Sequence, residues 1–379
     1  MHMKRKKIDI KKIDRNMDGK NAGSEGLSWH SPKKQPFHIA GLPWFQEEGL
    51  YRRLPIKPRE PIPKSVDYLA NCTAGGQMRF RTDSQRLVLR IKKHGSFHMV
   101  HMADTGQGGF DCYIGAPGKT TFCSATKYDS KLDDYELVLF KHDVSETRMI
   151  TLNFPLYNDA RQMEIEIGLA PGAKIEAPVP YDNAGRIVVY GTSITQGGCA
   201  SRPGMCFTNI LSRRINMEFV NLGFSGSGRG EPEVARLVAT VKRPAIFVLD
   251  FEGNCHEPEL LAIRFPEFVD ILRKAHPSVP ILTVSKIRFA STLYEPTEAA
   301  KTDRCRSIQK EEVRKRILAG DKNLYFANGY EFLGKDFDEC TVDGVHATDL
   351  GFLRMADALE PYLRKILAKA TVSAVKTKR

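Results

Sequence analysis

The sequence contains no run of about 18 apolar residues, so nothing in it reads as a membrane span. It contains no Cys-x-x-Cys pair. Its eight cysteines are Cys72, Cys112, Cys123, Cys199, Cys206, Cys255, Cys305 and Cys340, spread over 379 residues. That dilution fits buried or free thiols rather than a disulfide scaffold. Cys199 and Cys206 flank one loop, and a bridge between them stays open at this stage. Zinc-finger spacing, recognition motifs and basic stretches interleaved with aromatics are also missing. Nucleic acid is therefore not an expected partner despite a formal charge of +12. Part of that charge is terminal, in MHMKRKKIDIKKIDR and AVKTKR. A signal-peptide core is lacking too, but Met1-His2-Met3 resembles an expression-vector scar, which leaves the native compartment open. Residues 1–35 have little apolar periodicity and read as a basic flexible arm, and 371–379 as a basic tail.

Between these ends the chain has two rhythms, and its length favours two domains. Residues 36–172 read as one β domain, and from about residue 66 to 170 short β segments follow one another with no helical pattern between them. MRFRTDSQRLVLRIKKHGSFHMV, DCYIGAPGKTTFCSA, YELVLFK, MITLNFPL and MEIEIGLA are bounded by turn signals. This spacing predicts an all-β antiparallel sandwich of the jelly-roll kind. APGAKIEAPVPYDNAG is rich in Pro, Gly and Ala, and residues 173–184 read as a linker. From 185 to 370 the apolar runs RIVVY, FVNLGF, AIFVLDF and PILTVSK are near-continuous, as strands buried on both faces must be. Helical patterns separate them, which predicts an α/β domain with a three-layer parallel sheet. Ligands of such sheets sit at the carboxyl ends of the strands.

The loops at those ends hold the chemistry. GTSITQGG supplies a hydroxyl, Ser193, and GFSGSGRG supplies glycine N–H groups. FEGNCHEP supplies an amide, Asn254, and TVDGVHATDLGF supplies Asp343 and His346 three residues apart. A serine hydroxyl becomes a nucleophile when an imidazole takes its proton and a carboxylate fixes that imidazole's tautomer. The oxyanion then needs rigid donors, for which the Ser193 N–H, the Gly226 N–H and the Asn254 side chain are candidates. Of the other histidines in this half, His276 precedes Pro277 at a helix end. His256 shares a loop with Asn254 but has no acid three residues before it.

GTSIT, NLGFSG, EGN and DGVH, in this order, resemble the four sequence blocks of the SGNH (GDSL-type) esterase superfamily. HIAGLPWFQEEGLYRRLP and GGFDCY resemble the amino-terminal region of a subgroup that joins a β-sandwich to an SGNH domain. The resemblance implies a flavodoxin-like SGNH fold over 185–370, Ser193 as nucleophile, His346 as general base and Asp343 as its orienting acid. It implies Ser193, Gly226 and Asn254 as oxyanion donors, and neither metal nor organic cofactor. Two departures stand out. The family's usual Asp before the serine is Thr192 here, read as a change in loop support, and Asn254 is followed by Cys255-His256-Glu257.

The remaining motifs carry less. His94 and His98 fall on one face of a β pattern and His101 on the other, so HGSFHMVH reads as strand histidines rather than metal ligands. TGQGGFDCY lacks the strand–loop–helix setting of a phosphate loop and reads as a sandwich turn that could still wall the site. The expected activity is hydrolysis of short acyl esters, chiefly acetyl, on a small-molecule or oligosaccharide substrate. An acyltransferase using the same triad and a non-catalytic carbohydrate-binding protein are the alternatives.

Overall fold

The computed structural model describes residues 25–95, 98–255 and 257–376, together with the single residue Ile13. Ten strands come first in the chain. They are β1 (Ser28–His30), β2 (His38–Ala40), β3 (Gln77–Thr82), β4 (Arg86–Lys92) and β5 (Asp111–Ile114). After them run β6 (Thr121–Ala125), β7 (Tyr135–Lys141), β8 (Arg148–Asn153), β9 (Glu164–Leu169) and β10 (Ile175–Glu176). They form two antiparallel sheets, in the orders β1-β9-β4-β7 and β10-β3-β8-β5-β6, with β2 added on β3. Alternate residues point inward from both. Met78, Phe80, Ile150 and Leu152 of one sheet meet Leu87, Leu89, Ile91, Ile165 and Ile167 of the other in a single core.

Two boundaries differ from the expectation. Ser28–His30, inside the expected arm, pairs antiparallel with β9, and Trp29 lies against Gly168 and the Arg90 guanidinium. Ile175–Glu176, inside the expected linker, pairs with β3. Strands of three and two residues are too short to write an alternating pattern, so composition alone decided the reading. The rest of the arm before residue 25, Ile13 apart, and residues 377–379 of the tail lie outside the described residues.

The second half is a parallel sheet of β11 (Arg186–Gly191), β12 (Glu218–Gly223), β13 (Pro244–Asp250), β14 (Ile281–Val284) and β15 (Leu324–Ala327), in the order β12-β11-β13-β14-β15. The pleat sorts their side chains between two cores. Ile187, Val189, Ile246 and Val248 pack under helices Phe207–Arg214 and Asp349–Lys376. Val188, Tyr190, Phe247 and Leu249 pack under Pro232–Val238, Pro258–Ala275 and Pro296–Leu318. From β11 the chain turns to β12 on one side and to β13 on the other. This reversal opens a crevice at the carboxyl end of β11, the usual ligand position in such sheets.

The sandwich is locked to the crevice by buried polar groups. Arg53 is fully buried, and its guanidinium donates to the carbonyls of Cys72, Leu69, Asn221 and Gly223 while lying over the Phe224 ring. Burial lowers its pKa to about 10, yet it stays charged at neutral pH. Asp111 is equally buried. Its carboxylate accepts from Asn153, from the Gly204 N–H at 2.7 Å and from Arg202 at 2.9 Å. Both residues belong to the sandwich half, and both hold segments that border Ser193. Replacing Arg53 by Ala removes buried, charge-assisted hydrogen bonds to four carbonyls and is expected to cost at least about 3 kcal/mol. Urea unfolding measures this, and a loss under about 1 kcal/mol contradicts the anchoring role.

Candidate active site

β11 ends at Gly191, and the chain turns at once into a one-turn helix, Ser193–Gln196. A side chain at 191 has no room, since a Cβ there would lie 2.1 Å from Thr195 Oγ1. Thr192 caps the turn: its hydroxyl accepts from the Ile194 N–H at 3.2 Å, and Thr195 Oγ1 accepts from the Thr192 N–H at 3.3 Å. Thr195 Oγ1 in turn donates to Asp250 Oδ2 at 2.7 Å. The Ser193 turn is thus braced by a threonine pair on a buried acid at the end of β13. This is the loop support that the missing Asp at 192 leaves to be found elsewhere.

Ser193 Oγ lies 2.9 Å from His346 Nε2, and His346 Nδ1 lies 2.8 Å from Asp343 Oδ2. Asp343 Oδ1 also accepts from the backbone N–H groups of His346 and Val345, at 2.8 and 3.1 Å. Partial burial opposes its charge, but these hydrogen bonds and the His346 ring hold the carboxyl below its ordinary range. An ionised acid on Nδ1 keeps the proton there and leaves Nε2 free to accept one. Gly226 has φ +63, in the region that favours glycine, and the position of its absent side chain is open space. No described hydrogen bond uses the N–H of Ser193 or of Gly226. Asn254 is buried and donates one Nδ2 hydrogen to the Phe224 carbonyl at 3.3 Å, keeping the other available.

Ser193, Gly226, Asn254 and His346 line one cavity of about 600 Å³. Asp343 stands behind His346. The structure therefore brings all five sequence-predicted positions together. Three wall residues come from the other half of the chain: Met99, His101 and Tyr157. Tyr157 Oη lies 2.5 Å from Ser225 Oγ, and the Ser225 N–H donates to Gln196 Oε1 at 3.1 Å, so the loop preceding Gly226 is fixed from both domains.

The histidines differ from their strand reading, because β4 ends at Lys92 and the chain beyond it is irregular. His94 is buried and bonds the Gly108 carbonyl through Nε2 at 2.6 Å. His101 lies in an exposed turn with its ring 5.6 Å from that of His346. TGQGGFDCY does not line the cavity. It packs against the loop after Ser193, with Thr105 Oγ1 donating to the Ser201 carbonyl at 2.6 Å. No sequence signal pointed to Met99, His101 or Tyr157, since a sandwich loop reaches the sheet only in three dimensions. All eight cysteines are free, Cys199 and Cys206 included. His276 bonds the Ala239 carbonyl, and His256 lies outside the described residues.

Residues 184–364 match the GDSL-like Lipase/Acylhydrolase family. Residues 27–175 match GxDLY, the N-terminus of SGNH hydro-type esterases, whose pattern reads Gly109-Phe110-Asp111-Cys112-Tyr113 here. A protein of Bacteroides ovatus ATCC 8483 described as a GDSL-like lipase is 31% identical, with TM-score 0.82 over 90% of this chain and 98% of its own. The chain belongs to the GDSL-like lipase/acylhydrolase family, and its class is that of an esterase or acylhydrolase. The salicylyl-acyltransferase SsfX3 of a tetracycline biosynthetic pathway shares the fold at 17% identity, with TM-score 0.71 over 90% of this chain and 98% of its own. An acetyl xylan esterase of Butyrivibrio proteoclasticus shares it at 13%, with TM-score 0.57 over 90% and 100%. No curated protein sequence matches the chain.

Two buried acids stand beneath the site. Burial pushes Asp250 up to about 7, partly offset by the Thr195 hydroxyl and reinforced by Glu252. Burial likewise raises Glu252 to about 7, against hydrogen bonds from the Lys286 N–H and Gln309. From about pH 4 to 7 the folded protein holds protons that the unfolded chain has released, so stability falls as pH rises through this window and levels off above it. Asp250→Asn removes one of the two groups. The decline of Tm between pH 4 and 7 is expected to become shallower in that variant, and an unchanged slope refutes the assignment.

Proposed function

We propose that this protein is a serine esterase that removes short acyl groups, acetyl above all, from a carbohydrate. The observation that carries the proposal is the continuous relay from Asp343 through His346 to Ser193, set in one cavity with two unengaged N–H groups and the Asn254 amide.

Ser193 Oγ attacks the ester carbonyl carbon while its proton passes to His346 Nε2. Asp343 stabilises the imidazolium through Nδ1–H and does not itself take the proton. The tetrahedral oxyanion is received by the N–H groups of Ser193 and Gly226 and by Asn254 Nδ2. His346 returns its proton to the departing alkoxide, leaving an acyl-serine. Water then attacks with His346 as base, and the acid and serine are released. The fold shared with the acetyl xylan esterase supports the acetyl and carbohydrate parts by analogy. A cavity larger than an acetyl group leaves room for part of the alcohol moiety.

Ser193→Ala is expected to abolish hydrolysis of an activated acetyl ester with the circular dichroism spectrum unchanged, and a fluorophosphonate is expected to label Ser193 in the parent protein. Turnover surviving in that variant rules out the mechanism. Asn254→Ala is expected to lower kcat by about 10²–10³, the usual loss for one oxyanion donor; an unaltered kcat removes Asn254 from that role. Acetylated oligosaccharides, assayed with and without acceptor alcohols, test the substrate class. Transfer product replacing free acetate would assign the protein to the acyltransferases instead.

A further inference from the structure

His101, Cys199 and His346 come from three separate segments: a sandwich loop, the loop after the nucleophile, and the loop before the last helix. One ring nitrogen of each histidine and the cysteine sulfur all lie within 4.8 Å of one another. Two imidazoles and a thiol are the donor set that divalent zinc prefers. Only Cys199 and His346 belong to the sheet domain, and His101 completes the set from across the cavity.

Zinc bonds of about 2.0–2.3 Å set tetrahedral ligand separations near 3.5 Å, so the cluster must contract by roughly 1 Å to close on the ion. His101 is the ligand with freedom to move, being exposed on a turn, whereas Cys199 is buried and His346 is held by Asp343. Cys199 has φ +73, a left-handed conformation that a non-glycine residue seldom takes, although Gly197 and Gly198 directly precede it. The Asp343–His346 hydrogen bond already has the form in which a carboxylate orients a metal-bound imidazole. A cation on Nε2 keeps that bond and takes the place of the Ser193 hydroxyl, and water supplies the fourth ligand.

We propose that His101, Cys199 and His346 bind a thiophilic divalent cation, Zn²⁺ in the first instance, and that its binding reversibly switches the esterase off. Both nitrogens of His346 are engaged in the relay, one with Asp343 and one with Ser193. Whichever the cation takes, the relay is broken. On binding, the Cys199 thiol loses its proton to solvent and no redox change occurs. The site is distinct in purpose from the proposed chemistry, which needs no metal. The inhibitory consequence rests on the proposed triad, but the binding itself does not.

Two measurements separate these claims. Co²⁺ added to the full-length Ser193→Ala protein is expected to give a thiolate-to-metal charge-transfer band that Zn²⁺ displaces, with no activity required. In the parent protein, Zn²⁺ is expected to inhibit acetyl ester hydrolysis, and a chelator to restore it. His101→Ala and Cys199→Ser are each expected to raise the half-inhibitory Zn²⁺ concentration about tenfold or more, since losing a ligand costs at least as much as losing its supporting partner. The His101 variant, on an exposed turn, keeps the test open if the Cys199 variant fails to fold. Absence of the charge-transfer band overturns the proposal, as does an inhibitory concentration unchanged by His101→Ala. A parent protein inactive without any metal counts against the esterase reading and leaves the cation site to be judged by the optical titration.

Discussion

The arrangement depends most on one buried charge. Arg53 carries its guanidinium from the sandwich half into the carboxyl end of β12, where it donates to backbone carbonyls and lies over the face of Phe224. Removing such a charge from water is costly, and it is tolerable only when its donors find well-placed acceptors. The Gly223 and Asn221 carbonyls are therefore fixed, and the loop from Phe224 to Gly226 begins from a rigid point. Asp111 does the same for the chain that follows the Ser193 loop, tying the Gly204 N–H and Arg202 to the sandwich. The segments that carry the candidate oxyanion donors are tied to residues 90 or more positions away in sequence.

The turn that presents Ser193 shows how one support substitutes for another. A carboxylate next to the serine is the family habit, and here Thr192 occupies that place. Its hydroxyl caps the turn directly, and the acid has moved to Asp250 on a neighbouring strand, reached through Thr195. Burial makes this acid costly to ionise, so the brace also couples the Ser193 turn to the protonation of the protein interior.

Much of this was legible in the sequence, and the reason is local. Ser193, Asn254, Asp343 and His346 each sit in a short loop after an apolar run or before an amphipathic helix, where a one-dimensional pattern marks position well. The i, i+3 spacing of Asp343 and His346 survives folding as a hydrogen bond because a single turn spans it. The alternation of strand and helix fixed the parallel sheet in the same way. What was not legible depended on contacts between distant segments. β1 and β10 are too short to carry a pattern, and their pairing is decided by β9 and β3. Met99, His101 and Tyr157 reach the cavity because one half is seated against the other, through Arg53, Asp111 and further contacts such as Tyr157 to Ser225 and Thr105 to Ser201. His101 belonged to a believable β pattern, HGSFHMVH, and became part of the site because the strand stopped at Lys92.

β12 lies at the margin of the parallel sheet, yet all six of its residues are buried, because the sandwich half covers them. A Cβ at Gly75 would lie 2.5 Å from that of Asn221, Gly41 packs between the Gly75 carbonyl and the Phe219 carbonyl, and the Gly41 N–H donates to Glu218. An exposed strand of that composition is a template for pairing with other chains. The amino-terminal half thus shields the edge of its neighbour's sheet. Cut away from it, the hydrolase half would present an apolar strand edge, and its first failure would be aggregation rather than loss of chemistry.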